Sequence, residues 1–211
     1  HTINTNFSYN QGLIGGAIYI ENGTYIDENS SFIANEATAG GGLAVSQSEV
    51  LLQGTRFKGN VVLSEGGGFL IEDAQSIELS QIQLLNNQSI DQGGGGLIRN
   101  PGNTPYVLKR SLLQGNEASE GGGIGIVGAF AVGIMANNTF VDNQSYGQGS
   151  DILLNVQASN GGNWIASNIF SYGNGLSALL LSTSALGYVG HNICWLSGDV
   201  CGLETMFVQD H

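Results

Sequence analysis

Basic residues are scarce in this 211-residue chain: five Lys and Arg stand against seventeen Asp and Glu, a formal charge of −12. Such a chain has no basic footprint for nucleic acid or for an anionic membrane surface, and neither is expected as a partner. Proline occurs twice, which excludes collagen-like and proline-rich architectures. Charged residues make up only 10% of the chain against 41% hydrophobic, a balance of neither a disordered segment nor a charged helical domain. No apolar run reaches the roughly 18 residues of a spanning helix, so direct membrane insertion is not expected. The chain opens at His1 without a signal peptide, which reads as a mature or excised segment.

Glycine is what the chain has in excess: 34 of 211 residues, or about 16% against a usual value of about 7%. The glycines come in blocks, at 15–16, 40–42, 66–68, 93–96 and 121–123, with Gly147 and Gly149 marking a degraded sixth. A second marker keeps step, an aromatic or Leu followed three residues later by Asn. It reads Phe7/Asn10, Phe32/Asn35, Phe57/Asn60, Leu84/Asn87, Leu113/Asn116 and Phe140/Asn143, then a looser Phe170/Asn174. A fixed period in the twenties is the signature of a repeat architecture.

The unit is β. A short apolar strand follows each glycine block, then a polar turn, then a second strand, and the Phe-x-x-Asn element lies in a third. No stretch sustains a 3.6-residue period with caps. Three short strands per coil predict an all-β, right-handed, single-stranded parallel β-helix of about seven coils stacked at about 4.8 Å. It occupies residues 1–211 as one domain, read as a segment of a longer chain or assembly. The Asn column is expected to form an amide ladder at one corner. The glycines supply positive φ and close backbone approach at another. One inward column is expected to read Ile18, Leu43, Phe69, Leu97, Ile124, Ile152.

The pairing of Gly-Gly-[Ala/Gly]-[Ile/Leu/Phe] with Phe-x-x-Asn resembles the repeats of polymorphic outer membrane proteins of the chlamydial type. More loosely it resembles the pectate-lyase-like superfamily of β-helices. Gly15-Gly16-Ala17-Ile18 matches the first motif, and Phe32-Ile33-Ala34-Asn35 and Phe140-Val141-Asp142-Asn143 match the second. The resemblance spans nearly the whole chain up to Asn174. It implies a β-helix used as an adhesin, passenger domain, surface filament, lyase or hydrolase.

For catalysis, a lyase of that superfamily needs a cationic base beside a Ca²⁺-holding carboxylate cluster. Lys109 and Arg110 form the chain's only adjacent basic pair, with Glu78 one coil away; the competing reading is a solvated ion pair. Glu72-Asp73 offers a hydrolase no matching acid in the adjacent coils. His1, His191 and His211 have no zinc spacing, and no glycine block is followed by the Lys-Ser/Thr of a phosphate loop. No metal or cofactor is expected.

Cys194 and Cys201, with Gly198-Asp199 between them, fit a disulfide pinning a terminal coil over residues 188–211; two buried free thiols are the alternative. A disulfide would imply an oxidising, extracytoplasmic setting. Sequons at Asn6, Asn22, Asn29, Asn87, Asn137 and Asn143 point the same way. Asn87 and Asn143 double as ladder positions, which leaves Asn6, Asn22, Asn29 and Asn137 as acceptors for N-linked glycan.

One feature favours assembly. Tyr19, Ala44, Leu70, Ile98, Gly125 and Leu153 would form an outward apolar stripe, a partner surface, unless a loop of the chain covers it or inside and outside are reversed. The first ten residues begin mid-coil without a cap, an open edge that invites pairing. The function expected is therefore an extracellular or cell-surface structural or adhesive module that self-assembles or binds other subunits, with glycan a further possible ligand. A polysaccharide-active lyase or hydrolase is the alternative.

Overall fold

A computed structural model describes residues 1–100, 105–130, 132–158, 163–171, 179–181, 186–190 and 192–195. Among these there is no helix; the chain is a parallel β-solenoid with three long sheets. Sheet 1 stacks eight strands from Thr2–Ile3 and Thr24–Glu28 to Leu186–Gly190, and sheet 2 stacks eight from Asn6–Ser8 to Ile193–Trp195. Sheet 3 stacks seven, from Ile18–Glu21 to Leu179–Leu181. Each coil visits the sheets in the order 1, 2, 3, so each interior strand pairs with the strand one coil before and one coil after.

Alternation of side chains along each strand separates core from surface. In Thr24–Glu28, Tyr25 and Asp27 point inward and are buried, while Thr24 is exposed. The aromatics of the Phe-x-x-Asn element stack at the pitch of the backbone, with centroids 4.9 Å apart for Phe7–Phe32, 4.8 Å for Phe32–Phe57 and 4.9 Å for Phe140–Phe170. Leu84 and Leu113 fill the middle of that column.

The amide ladder forms as expected. Asn35 donates from its backbone N and its Nδ2 to Oδ1 of Asn60, at 2.9 Å each, and its Nδ2 also reaches the Phe7 carbonyl. The same contacts recur down the column from Asn10 to Asn143. Each amide thus satisfies a buried backbone N–H and C=O that the bend removes from the sheets. The residue before each ladder Asn lies in the left-handed region, as at Ala34 (φ 51°) and Gly59 (φ 63°). The bend between sheets 1 and 2 carries a second ladder, in which Ser111, Asn138, Asn168 and Asn192 pass hydrogen bonds from coil to coil.

The first ladder ends at a substitution. The sixth glycine block reads Gly149, Ser150, Asp151, and Asp151 occupies the place of the third glycine. Its Oδ1 accepts from Asn143 Nδ2 at 2.9 Å and closes the column, while its Oδ2 is buried without a partner. Burial, with Asp142 nearby, outweighs that hydrogen bond and pushes the carboxyl up to about 7.

Two expectations about facing are corrected. In the fourth coil Gly96, not Leu97, takes the core column: it pairs with Phe69 and Ile124. A Cβ on Gly96 would come within 2.5 Å of Phe69 Cζ, so the ring of one coil fills the room left by the glycine of the next. The offset turns Ile98 inward and Leu97 outward; Ile98 is a core residue.

The outward column of sheet 3 is also not an open stripe. Ala44, Leu70, Leu97 and Leu153 are buried beneath the chain's own turns. The leading glycine of each block lies against them: a Cβ on Gly40 would sit 2.8 Å from Ala44 Cβ, and one on Gly121 2.8 Å from Leu153 Cβ. Positive φ, +64° at Gly40, is what bends the backbone over the strand. Tyr19 stays 46% exposed.

Candidate functional site

The catalytic candidates do not converge on a cleft. Lys109 Nζ lies 2.6 Å from Glu78 Oε1 on the outer face of sheet 1, a partly exposed ion pair. Arg110 is exposed at the left-handed position of the next bend (φ 54°), with Gln81 and Asn137 in the flanking coils. Those flanking residues bring no carboxylate, and among the described residues no three His, Cys, Asp or Glu side chains come together as a metal site.

Of the six stripe residues expected to form an interface, Ala44, Leu70, Ile98, Gly125 and Leu153 are buried and only Tyr19 is presented to solvent. Asn6, Asn22, Asn29 and Asn137 are all exposed, the last three at left-handed bend positions. Asn87 and Asn143 are buried in the ladder. Cys194 belongs to the strand Ile193–Trp195, and Cys201 lies outside the described residues, as does most of the 188–211 coil.

The surface that does gather apolar side chains is the corner between sheets 2 and 3, just after the Asn ladder. Here each coil runs out of the bend with its own alternation. The residue two after the ladder Asn (Ala37, Val62, Ser89, Ala118, Ser145) is small or apolar and buried. The residue three after it faces solvent, in the column Leu13, Thr38, Leu63, Ile90, Ser119, Tyr146. Leu13 is 74% exposed, Leu63 69%, Ile90 57% and Tyr146 80%. Coil-to-coil backbone bonds hold them in register, among them Thr38 N to Leu13 O and Gly147 N to Ser119 O. Five steps of about 4.8 Å make a strip of about 24 Å.

Beside it runs a column one residue after the ladder Asn, polar in every coil but the third: Gln11, Glu36, Val61, Gln88, Glu117, Gln144. Gln11 Nε2 donates to Glu36 Oε2 at 3.0 Å and Gln88 Nε2 to Glu117 Oε2 at 3.4 Å. The Tyr146 hydroxyl donates to the other oxygen of Glu117, and that bond together with the carboxylate charge raises the tyrosine pKa. Val61, Gln88, Ile90, Glu117, Ser119 and Tyr146 line a shallow groove of about 360 Å³ spanning four coils. The signal for this strip was legible in the repeat, as an apolar residue at Asn+3 in four of six coils. A search for partner surfaces on the strands alone passes over it, because it lies in the turns.

Comparison with models of known protein families, with characterised proteins and with solved structures finds no match to this chain.

Proposed function

We propose that this chain is a non-catalytic structural or adhesive module of an extracellular or cell-surface protein, binding or assembling through the long faces of its solenoid. The observation that carries this reading is the corner strip: large apolar side chains held exposed in a file on a rigid ladder, where a solvated turn would carry polar residues. The resemblance of the repeats to those of polymorphic outer membrane proteins supports it, as do four exposed sequons and the scarcity of basic residues. Other protein subunits, a second copy or a glycan are the partners this surface admits.

The alternative, a polysaccharide-active β-helix enzyme, has its best candidate base at Lys109 tied to Glu78 and its best cation, Arg110, on a bend. Ultraviolet detection of unsaturated product from acidic polysaccharides separates the two readings. No release is expected, and a lyase activity that disappears in Arg110→Ala would overturn the proposal. For the strip itself, Ile90→Asp is expected to leave the melting temperature within about 2 °C, as an exposed turn residue should. The same substitution is expected to abolish self-association or partner binding.

A further inference from the structure

We propose that the groove of the corner strip takes a basic, apolar-flanked segment of a partner polypeptide, one cationic side chain packing on the face of the Tyr146 ring and pairing with the Glu117 carboxylate beside it. This rests on the binding reading above and names the chemistry of the partner.

Charge decides the class. Glu117 sits at the middle of the groove, held by the neutral donors Gln88 and Tyr146. Asp91 and Glu120 lie in the neighbouring turns, held by Ser64 and Gln92, and Glu36 stands three coils further along the strip, held by Gln11. Among the described residues none of these four acids has a cation within 4.0 Å; the chain's ion pairs lie elsewhere, at Glu28, Glu65, Glu72 and Glu78. Neutral donors orient a carboxylate without cancelling its charge, so the strip presents four uncompensated negative charges beside an apolar file. A guanidinium or ammonium group lying on the exposed face of Tyr146 would reach the Glu117 carboxylate at the edge of that ring, a cation–π contact reinforced by a charged acceptor. Leu63 and Ile90 then receive the apolar neighbours.

The same charges argue against other occupants. A second copy docked strip to strip brings carboxylates against carboxylates. An acidic glycan meets the same repulsion. A strip of about 24 Å accommodates about seven extended residues at roughly 3.3 Å each.

The test is fluorescence anisotropy with a labelled nonapeptide repeating Arg-Leu-Gly, at low salt, against the whole chain. Binding is expected, weakened about tenfold by Glu117→Gln and at least as much by the uncharged Ile90→Asn. Glu49→Gln, an exposed acid on sheet 1, removes the same charge elsewhere and is expected to change affinity less than twofold. Equal weakening by Glu117→Gln and Glu49→Gln, or no peptide binding, overturns the proposal. Two results would overturn the partner chemistry while keeping the strip as a binding face: binding of a neutral cello-oligosaccharide that Ile90→Asp abolishes, or a concentration-dependent dimer that Ile90→Asp dissolves. If none of the three probes responds to these substitutions of Ile90, the binding reading of the strip fails with it.

Discussion

The phenolic hydroxyl of Tyr106 donates to Oδ1 of Asn163 at 2.7 Å, between residues 57 apart in sequence and two coils apart in the stack. Gly133 lies between them, paired with both, and a Cβ there would run into the Tyr106 ring. A large side chain in one coil is thus accommodated by the missing one in the next, as with Phe69 and Gly96. Gly133→Ala is expected to destabilise by about 1–3 kcal/mol through overpacking. In a Tyr106→Val background, which restores the side chain Val50 carries in the same column, the cost should fall below about 1 kcal/mol. Denaturant unfolding of the four chains measures the coupling; equal costs in both backgrounds would break the pairing of ring and glycine.

Asp151 makes the stability depend on pH in an unusual direction. Its folded pKa, about 7, stands above the ordinary aspartate value of 3.8. Between those values the unfolded carboxyl is ionised and the folded one still protonated, so the folded state loses ground as pH rises from about 4 to 7. Above 7 both are ionised and this contribution levels off. Asp151→Asn cannot titrate. The difference in unfolding free energy between variant and parent should therefore move in favour of asparagine by up to about 4 kcal/mol across that window, at about 1.4 kcal/mol per pH unit. A difference that stays flat from pH 4 to pH 8 would show that Asp151 titrates normally.

Removal of one rung of the amide ladder affects both neighbours. Asn87 accepts from the backbone N and the Nδ2 of Asn60 and donates to Asn116 Oδ1 and the Phe57 carbonyl. Asn87→Ala leaves these buried groups without that partner, at an expected cost of about 3–5 kcal/mol. Asn86→Ala, at the exposed position beside it, should cost far less. Thermal unfolding of the pair gives the comparison, and equal losses would demote the ladder to ordinary turn polarity.

Ala34 holds a left-handed backbone at the position that Gly59 and Gly115 occupy in other coils. A Cβ is disfavoured there, so Ala34→Gly should stabilise by about 0.5–1 kcal/mol despite the added freedom of the unfolded chain. For a chain of this size that is a rise of about 1–4 °C in melting temperature. A fall would mean that the Ala34 methyl contributes packing that outweighs its backbone strain.

The covered column of sheet 3 makes its own demand. Leu70→Glu and Ile98→Glu would disrupt assembly without unfolding if those residues lined an open face. Because Leu70 lies under a turn and Ile98 in the core, both changes bury a charge and are expected to unfold the chain at neutral pH. Circular dichroism at 25 °C distinguishes the outcomes.

The strand order, the parallel stacking, the Phe column and the Asn ladder were all legible before any coordinates. Each is a periodic property: residues one period apart are neighbours, so a column of like residues in the sequence is a column in space. What periodicity misassigned was local. The four-glycine block at 93–96 holds one residue more than its neighbours, and counting from its end assigned Leu97 to the core. Only the Phe69 ring, pressing into the space beside Gly96, decides that the extra residue is absorbed after the turn. The covering of Ala44, Leu70 and Leu153 was equally out of reach. It depends on how sharply the left-handed glycine at the head of each block folds the turn back onto the strand.

The sequence by itself determined that this chain is a stack of β coils with an amide corner and a glycine corner. Repetition every 25 to 29 residues across its regular part forces equivalent backbones to pair, and no other arrangement buries those columns. The tertiary structure alone decided which face is open. Burial of an outward side chain depends on the path of the turn above it, and that path is set by a few backbone angles and close contacts. Those contacts bury the apolar residues of sheet 3 and leave Leu63, Ile90 and Tyr146 beside Glu117 at the neighbouring corner, where the surface meets solvent.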